Sequence, residues 1–569
     1  MLGFVIAVLV GTVPSPERTP QEPRPPKAAS GNLLLRGARI HTGTNTDWPG
    51  ALSVFAGRLR RGDSLDPAVD AVAIDLPADA FVMPGLQDAH GHLLGLGTAL
   101  AEVDLVGTAS FEEVIARAVA KAATQPAGTW ILGRGWDQND WPDTAMPHHR
   151  ALSAAIPDHP VWLMRVDGHA GLANQKALQL SNVTRDSAVG GGGEILRDAA
   201  GEPTGVLVDD AMAAIQPPAP TVAQIRERLL AAQRECLRHG LTCVHDAGVD
   251  ATTLQAMLDL HREGTWWLRT YVLLAPNERD LIARGPWQTP DGRIVVRAVK
   301  AYADGALGSR GAALLADYAD APGKRGLVSM PKGAVQVLAQ FCADHDMQLC
   351  MHAIGDAANR TVLDAYAAVK TNGEPAAGRL RFRIEHAQVI ADADFVRFAQ
   401  LGVLPSMQPT HLTSDMPWAG QRLGPERLAG TYAWTRFHRL GVIVPFGSDF
   451  PVESVDPRRG LFAAVTTRAI AAGQPAGAPP GAGANGGGPV GGFRPDQRLS
   501  REQALRGFTL HAAHGMFAEE RLGTIELGKV ADLTVFDRDL RTCSEDELLA
   551  AKVLLTVVGG QVVYDGRGQ

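Results

Sequence analysis

Residues 81–92 read Phe-Val-Met-Pro-Gly-Leu-Gln-Asp-Ala-His-Gly-His. An apolar run ends here in two histidines spaced by one residue. In an extended strand, residues i and i+2 point to the same side. His90 and His92 can therefore aim two imidazoles at one point, and neutral imidazole is a common ligand for zinc and related cations. The same spacing also suits exposed or capping histidines. Further ligands at the ends of later strands decide between the readings.

Those strands follow. After residue 81, β-rich runs alternate with helical patterns, which points to parallel βα units. Candidate strands fall near 81–88, 129–134, 161–166, 241–246, 268–273, 296–302, 348–352, 381–386, 402–407 and 442–447. A (β/α)8 TIM barrel needs eight. Counted back from the last, seven become strands 2 to 8, and 81–88 becomes strand 1. The runs near 129 and 161 then fall in segment 93–240, which is too long for a βα connection. It is read as an inserted subdomain over the barrel mouth.

Short strand patterns at 33–40 and 51–55 resemble those at 531–537 and 553–564. Segments 31–80 and 523–569 are therefore expected to form a small composite β-sandwich beside a barrel over 81–522. The fold class is α/β. Residues 1–30 combine an apolar run lacking a basic n-region with a Pro-rich stretch. They are read as a disordered or signal-like leader, and cytoplasmic and exported locations both stay open. Residues 471–493, rich in Gly, Pro and Ala, are read as a flexible loop.

The composition, 45% hydrophobic and 20% charged over 569 residues, is that of a soluble globular protein. Net charge is −7 and there is no basic tract, which argues against nucleic-acid or membrane partners. The five cysteines, Cys236, Cys243, Cys342, Cys350 and Cys543, form no Cys-x-x-Cys pair. Buried free thiols suit them better than disulfides or a zinc knuckle.

Active sites of such barrels lie at the C-terminal ends of the strands. Strand 1 ends in His90 and His92. Strand 4 carries Lys300, strand 5 ends in His352, strand 6 in His386 and strand 8 in Asp449. Taken singly, each has a plain reading: a satisfied histidine, a snorkelling lysine, a turn-capping aspartate. Falling together on one barrel face, they read as a site.

The chain resembles the metal-dependent amidohydrolase superfamily, and within it the family 3 branch of YtcJ-like and N-substituted formamide deformylase-like proteins. The matching strings are Met83-Pro84-Gly85-Leu86-x-Asp88-x-His90-x-His92, Gly133-x-Gly135-Trp136-Asp137, Asp167-Gly168-His169-Ala170, Gly201-Glu202-Pro203-Thr204-Gly205-Val206-Leu207, Lys300-x-x-x-Asp304-Gly305, His352-Ala353-Ile354-Gly355-Asp356, Ile384-Glu385-His386, Gly447-Ser448-Asp449 and Gly528-Lys529-Val530-Ala531-Asp532. One local departure, Ala151-Leu152-Ser153 where the family often has a Leu-Asp pair, bears on specificity and not on chemistry.

The resemblance implies a divalent metal, usually zinc, as one or two ions. His90, His92 and Asp449 would hold one ion, and His352 and His386 a second. Lys300 would bridge them if carboxylated, since a free ammonium cannot ligate a cation; otherwise the site is mononuclear. The implied activity is hydrolysis of a small-molecule, non-peptide amide such as an N-formyl or N-acyl amine. Esterase, lactonase or cyclic-amidase activity, or a metal-binding protein without turnover, are the alternatives. Asp449 is expected as general base, with His386 orienting the carbonyl. Trp136, Asp137, Arg165 and His169 in the insertion are candidate substrate contacts. His245, Asp304 and Arg310 are read as supports, the last two positioning the Lys300 loop. The substrate, the metal and the assembly, whether monomer or homodimer, stay open.

Overall fold

The computed structural model describes residues 32–44, 47–48, 50–62, 71–166, 168–188, 193–470 and 491–568. The leader at 1–30, Asp167, and most of the 471–493 loop lie outside them.

Seven parallel strands form the centre: Leu86–Gly91, Leu241–Val249, Arg269–Leu274, Ile294–Tyr302, Gln348–Ala353, Arg383–His386 and Leu404–Ser406, hydrogen-bonded in that order. The eighth position is taken by an irregular segment around Phe446. On one side Met407 N donates to Pro445 O (3.0 Å) and Gly447 N to Met407 O (3.1 Å). On the other, Ala89 N donates to Phe446 O (2.9 Å) and Asp449 N to His90 O (2.7 Å). Phe446 N turns away to Gly507 O (3.0 Å), so the ladder is interrupted but the ring nearly closes. The fold is a TIM barrel, with strands running almost wholly buried as parallel sheets do.

The stretch expected as strand 1 divides at Gly85. Phe81–Pro84 pairs antiparallel with Leu533–Phe536 in a five-stranded sheet, and the barrel strand begins at Leu86. Both halves are buried at every position, so no change of alternation marks the switch of sheet. Gly85 sits at the crossing, where its N–H donates to Asp532 O (2.8 Å). A Cβ there would lie 2.3 Å from Thr242 Oγ1. Gly85→Ala is accordingly expected to cost about 1–3 kcal/mol by overpacking, read by denaturant unfolding.

The five-stranded sheet faces a four-stranded one made of Leu33–Arg36, Ala51–Phe55, Arg58–Arg61 and Val72–Asp75. Leu33, Leu52 and Val54 pack against Val82, Val535 and Val557 in a common core. Arg269 of barrel strand 3 is buried against Asp532, with Nη2 3.1 Å from Oδ1, and ties the barrel to this unit.

Segment 93–240 is not one insertion. Helices Leu93–Ala101 and Val222–Arg238 belong to the barrel, their Leu93, Leu96, Ile225 and Leu229 packing with Leu86 and Leu241. Between them lies a six-stranded sheet, with Val161–Arg165 and Ile131–Trp136 adjacent near its centre. One apolar cluster of this insertion holds Trp136, Trp141 and Leu163, and a second holds Trp162, Leu178 and Leu207. All five cysteines are free, four of them buried.

Candidate metal centre

Strand 1 delivers His90 and His92 to the barrel rim. His90 is fully buried, and its Nδ1 contacts the Glu385 carboxylate. Burial, aided by the charge of Lys300, pushes His90 down to about 4. The ring is thus neutral near pH 7, with its proton on Nδ1 toward the carboxylate and a lone pair on Nε2. That Nε2 lies 3.0 Å from Lys300 Nζ and 3.5 Å from Asp449 Oδ1.

His92 Nδ1 donates to the carbonyl of Ala247 (2.9 Å). A carbonyl has no proton to offer, so in the neutral ring Nε2 carries the lone pair. It faces Asp449 Oδ1 at 3.1 Å. Two lone pairs at that distance repel unless a cation or proton stands between them. His90, His92 and Asp449 offer ligand atoms all within 4.8 Å of one another, and they are the one such group of three among the described residues. The donor set of two imidazoles and a carboxylate suits zinc or a similar divalent ion.

The backbone is bent to make this cluster. Asp449 has φ +63° and His386 φ +73°, followed by Ala387 at +44°. Left-handed backbone at non-glycine residues is uncommon and clusters at functional sites. Strict alternation would send Glu385 and His386 to opposite faces. The turn at His386 lets both serve the same site. Burial pushes the Asp449 carboxyl up, but with a proton between it and His92, and with the imidazoles of His90, His386 and His411 around it, the carboxyl falls well below the usual range. Asp88 fastens the rim. It accepts from His90 N (3.0 Å) and Ser448 Oγ (2.6 Å), joining the ends of strands 1 and 8.

His386 Nδ1 meets Gln408 Oε1 at 2.8 Å, which turns Nε2 toward the site. Its ring lies 5.0 Å from that of His90 and 4.6 Å from that of His352. No third histidine, cysteine or carboxylate among the described residues joins His352 and His386 at ligand spacing. Lys300 is buried, its pKa lowered by desolvation, with Nζ 4.9 Å above the Tyr302 ring.

The residues expected as supports make defined contacts. Asp304 serves His352: its Oδ1 lies 3.4 Å from His352 Nε2, and it accepts from the amides of Ala313, Ile354 and Gly355 at 2.8, 3.0 and 2.8 Å. Arg310 pairs with Asp320 (2.9 Å) within the loop that follows the Lys300 strand. His245 is buried below the rim, where its Nδ1 accepts from Arg383 Nη1 (2.9 Å). Trp136 is not a substrate contact: it is fully buried in the insertion core and donates to Leu163 O (2.8 Å). Asp137 pairs with Arg165 (2.7 Å), and the 72%-exposed His169 with Asp209 (2.8 Å), both within the insertion.

Glu385, Gln408 and His411 are site residues that the sequence reading passed over. Glu385 was visible in the Ile-Glu-His string, and strand alternation with Arg383 would have turned it inward. Gln408 and His411 follow strand 7 and carry no local spacing signal.

Comparisons with known proteins place the chain in a family. The family model described as "Amidohydrolase family" matches residues 73–564. The YtcJ protein of Bacillus subtilis (strain 168) is 30% identical over 500 residues, covering 85% of this chain and 89% of that protein. An N-substituted formamide deformylase of Arthrobacter pascens is 28% identical over 561 residues, covering 94% and 95%. Among solved structures, an uncharacterized metal-dependent hydrolase from Pyrococcus horikoshii OT3 superposes with a TM-score of 0.74 at 27% identity, covering 90% of this chain and 99% of that one. Matched along nearly its whole folded length, the chain belongs to the amidohydrolase family.

Proposed function

We propose that this hydrolase cleaves the carbon–nitrogen bond of a small non-peptide amide, an N-formyl or N-acyl amine, with a divalent metal at the barrel rim. The observation that carries this reading is the cluster of His90, His92 and Asp449, with both imidazoles turned so that a lone pair faces the carboxylate. The name of the Arthrobacter relative supports the substrate class.

His90, His92 and Asp449 would hold one ion, most suitably zinc. His352 and His386 would hold a second where Lys300 is carboxylated, and an unmodified Lys300 leaves a single ion. A bound divalent metal supplies Lewis acidity, which lowers the pKa of water and polarises a carbonyl. Asp449 then accepts the proton of the attacking water and passes it to the departing amine nitrogen. The free amine and the carboxylic acid are the products, the water hydroxyl going to carbon and its proton to nitrogen. His386 orients the carbonyl oxygen. Glu385 and Gln408 hold His90 and His386 in the tautomers that leave Nε2 free.

Gln408→Leu removes the acceptor that fixes His386. It is expected to lower activity by about 10- to 100-fold, read by steady-state kinetics on the metal-replete protein. The function itself is tested by a panel of N-formyl and N-acyl amines with matched esters and lactones. Metal-dependent amide hydrolysis is expected. Turnover of esters or lactones alone would move the assignment to the leaving group those substrates share. Turnover of neither by metal-replete protein would favour a binding role without catalysis.

A further inference from the structure

Helix Pro409–Asp415 follows barrel strand 7 and presents His411 to the site. His411 Nε2 is shut off from solvent and has no hydrogen-bond partner. It lies 3.7 Å from Asp449 Oδ2, and its ring runs nearly parallel to that of His386, 5.7 Å away. The two oxygens of Asp449 therefore meet different surroundings. Oδ1 faces His92 and His90 at 3.1 and 3.5 Å, whereas Oδ2 faces His411.

We propose that His411 is a positioning residue for Asp449: its Nε2–H donates to Oδ2 and so keeps Oδ1 on the ligand cluster. The inference rests on the metal-hydrolase reading above. His92 cannot play this part, because its proton is committed to Ala247 O. No hydrogen bond among the described residues ties up His411 Nδ1, so the proton is free to sit on Nε2. There it meets an anionic oxygen instead of setting two lone pairs against each other. A buried polar atom left without a partner costs about 1–3 kcal/mol, and Asp449 Oδ2 is the acceptor within reach. The gap is longer than a hydrogen bond, as is common for catalytic pairs before the full complex assembles.

The helix is also held in place. Asp415, one turn beyond His411, is largely buried and accepts from Tyr432 Oη (2.7 Å) and from the Gln388 amide. Tyr432 and Gln388 are themselves buried. The imidazole is thus carried by a rigid element, as a positioning role requires.

The test compares wild type with His411→Phe, which keeps the ring volume without a donor, and His411→Gln, which keeps an N–H donor. Each is examined as the zinc form by kinetics and as the cobalt(II) form by metal content and visible absorption. His411→Phe is expected to retain its metal, to shift the cobalt spectrum, and to lose kcat by about 10- to 100-fold with KM little changed. His411→Gln is expected to recover the spectrum and most of kcat. Wild-type spectrum and kcat in His411→Phe would overturn the inference alone. So would loss of the metal from His411→Phe, since His411 would then be a ligand. A wild-type chain that takes up no cobalt would overturn the metal reading and this inference with it.

Discussion

Asp449→Asn is expected to lower kcat by about 10³-fold, within the range that general-base groups contribute, while the folded protein still takes up metal. The substitution keeps the side-chain shape and one oxygen toward His90 and His92. It removes the capacity to accept a proton from water. The protein holds this carboxyl ionised despite its burial, which is the state a general base needs. Metal content and kcat measured on the same preparation separate the two functions of the side chain. Wild-type turnover in Asp449→Asn would assign the base elsewhere.

Arg383→Leu is expected to destabilise the fold by about 3–5 kcal/mol, the cost of leaving a buried partner charge uncompensated. Arg383 is fully buried on strand 6. It donates to Glu385 Oε2 (2.9 Å), Ala89 O (2.6 Å), Ser406 Oγ (2.9 Å) and His245 Nδ1 (2.9 Å), so one guanidinium ties strands 1, 2, 6 and 7. Burial pushes Glu385 up, but Arg383 first, then His90 and Lys300, hold it well below the usual range. Without Arg383 that carboxylate takes a proton or the structure opens. Replacing both residues with leucine is expected to recover much of the stability, because buried pairs and apolar replacements are often close in energy. Metal affinity should stay reduced in the double variant, since His90 would still lack its acceptor. Denaturant midpoints read the first effect and metal titration the second.

The barrel was legible because helical and strand patterns alternate over most of the chain, and because parallel strands are continuous apolar runs. The ligand list was legible because His90, His92, His352, His386 and Asp449 stand at the ends of such runs. What escaped depends on contacts distant in sequence or on backbone detail. Phe81–Pro84 and Leu86–Gly91 read as one strand, since burial on both faces hides a change of sheet at Gly85. Trp136 reads equally well as a site residue or a core residue until its neighbours are known. The partner of His90 is Glu385, and that of His386 is Gln408 beyond the next strand; no spacing links either pair. His411 joins the site only because the strand 7 helix folds back over Asp449.

Hydrolysis is expected to depend on metal held by His90, His92 and Asp449. This dependence is tested most directly by measuring ions bound per chain and hydrolysis of an N-formyl amine on one preparation, before chelation, after it, and after zinc is restored, with the intact mass reporting CO2 on Lys300. Turnover is expected to disappear with the metal and to return in proportion to the zinc bound. Undiminished turnover by protein stripped of metal would contradict this dependence.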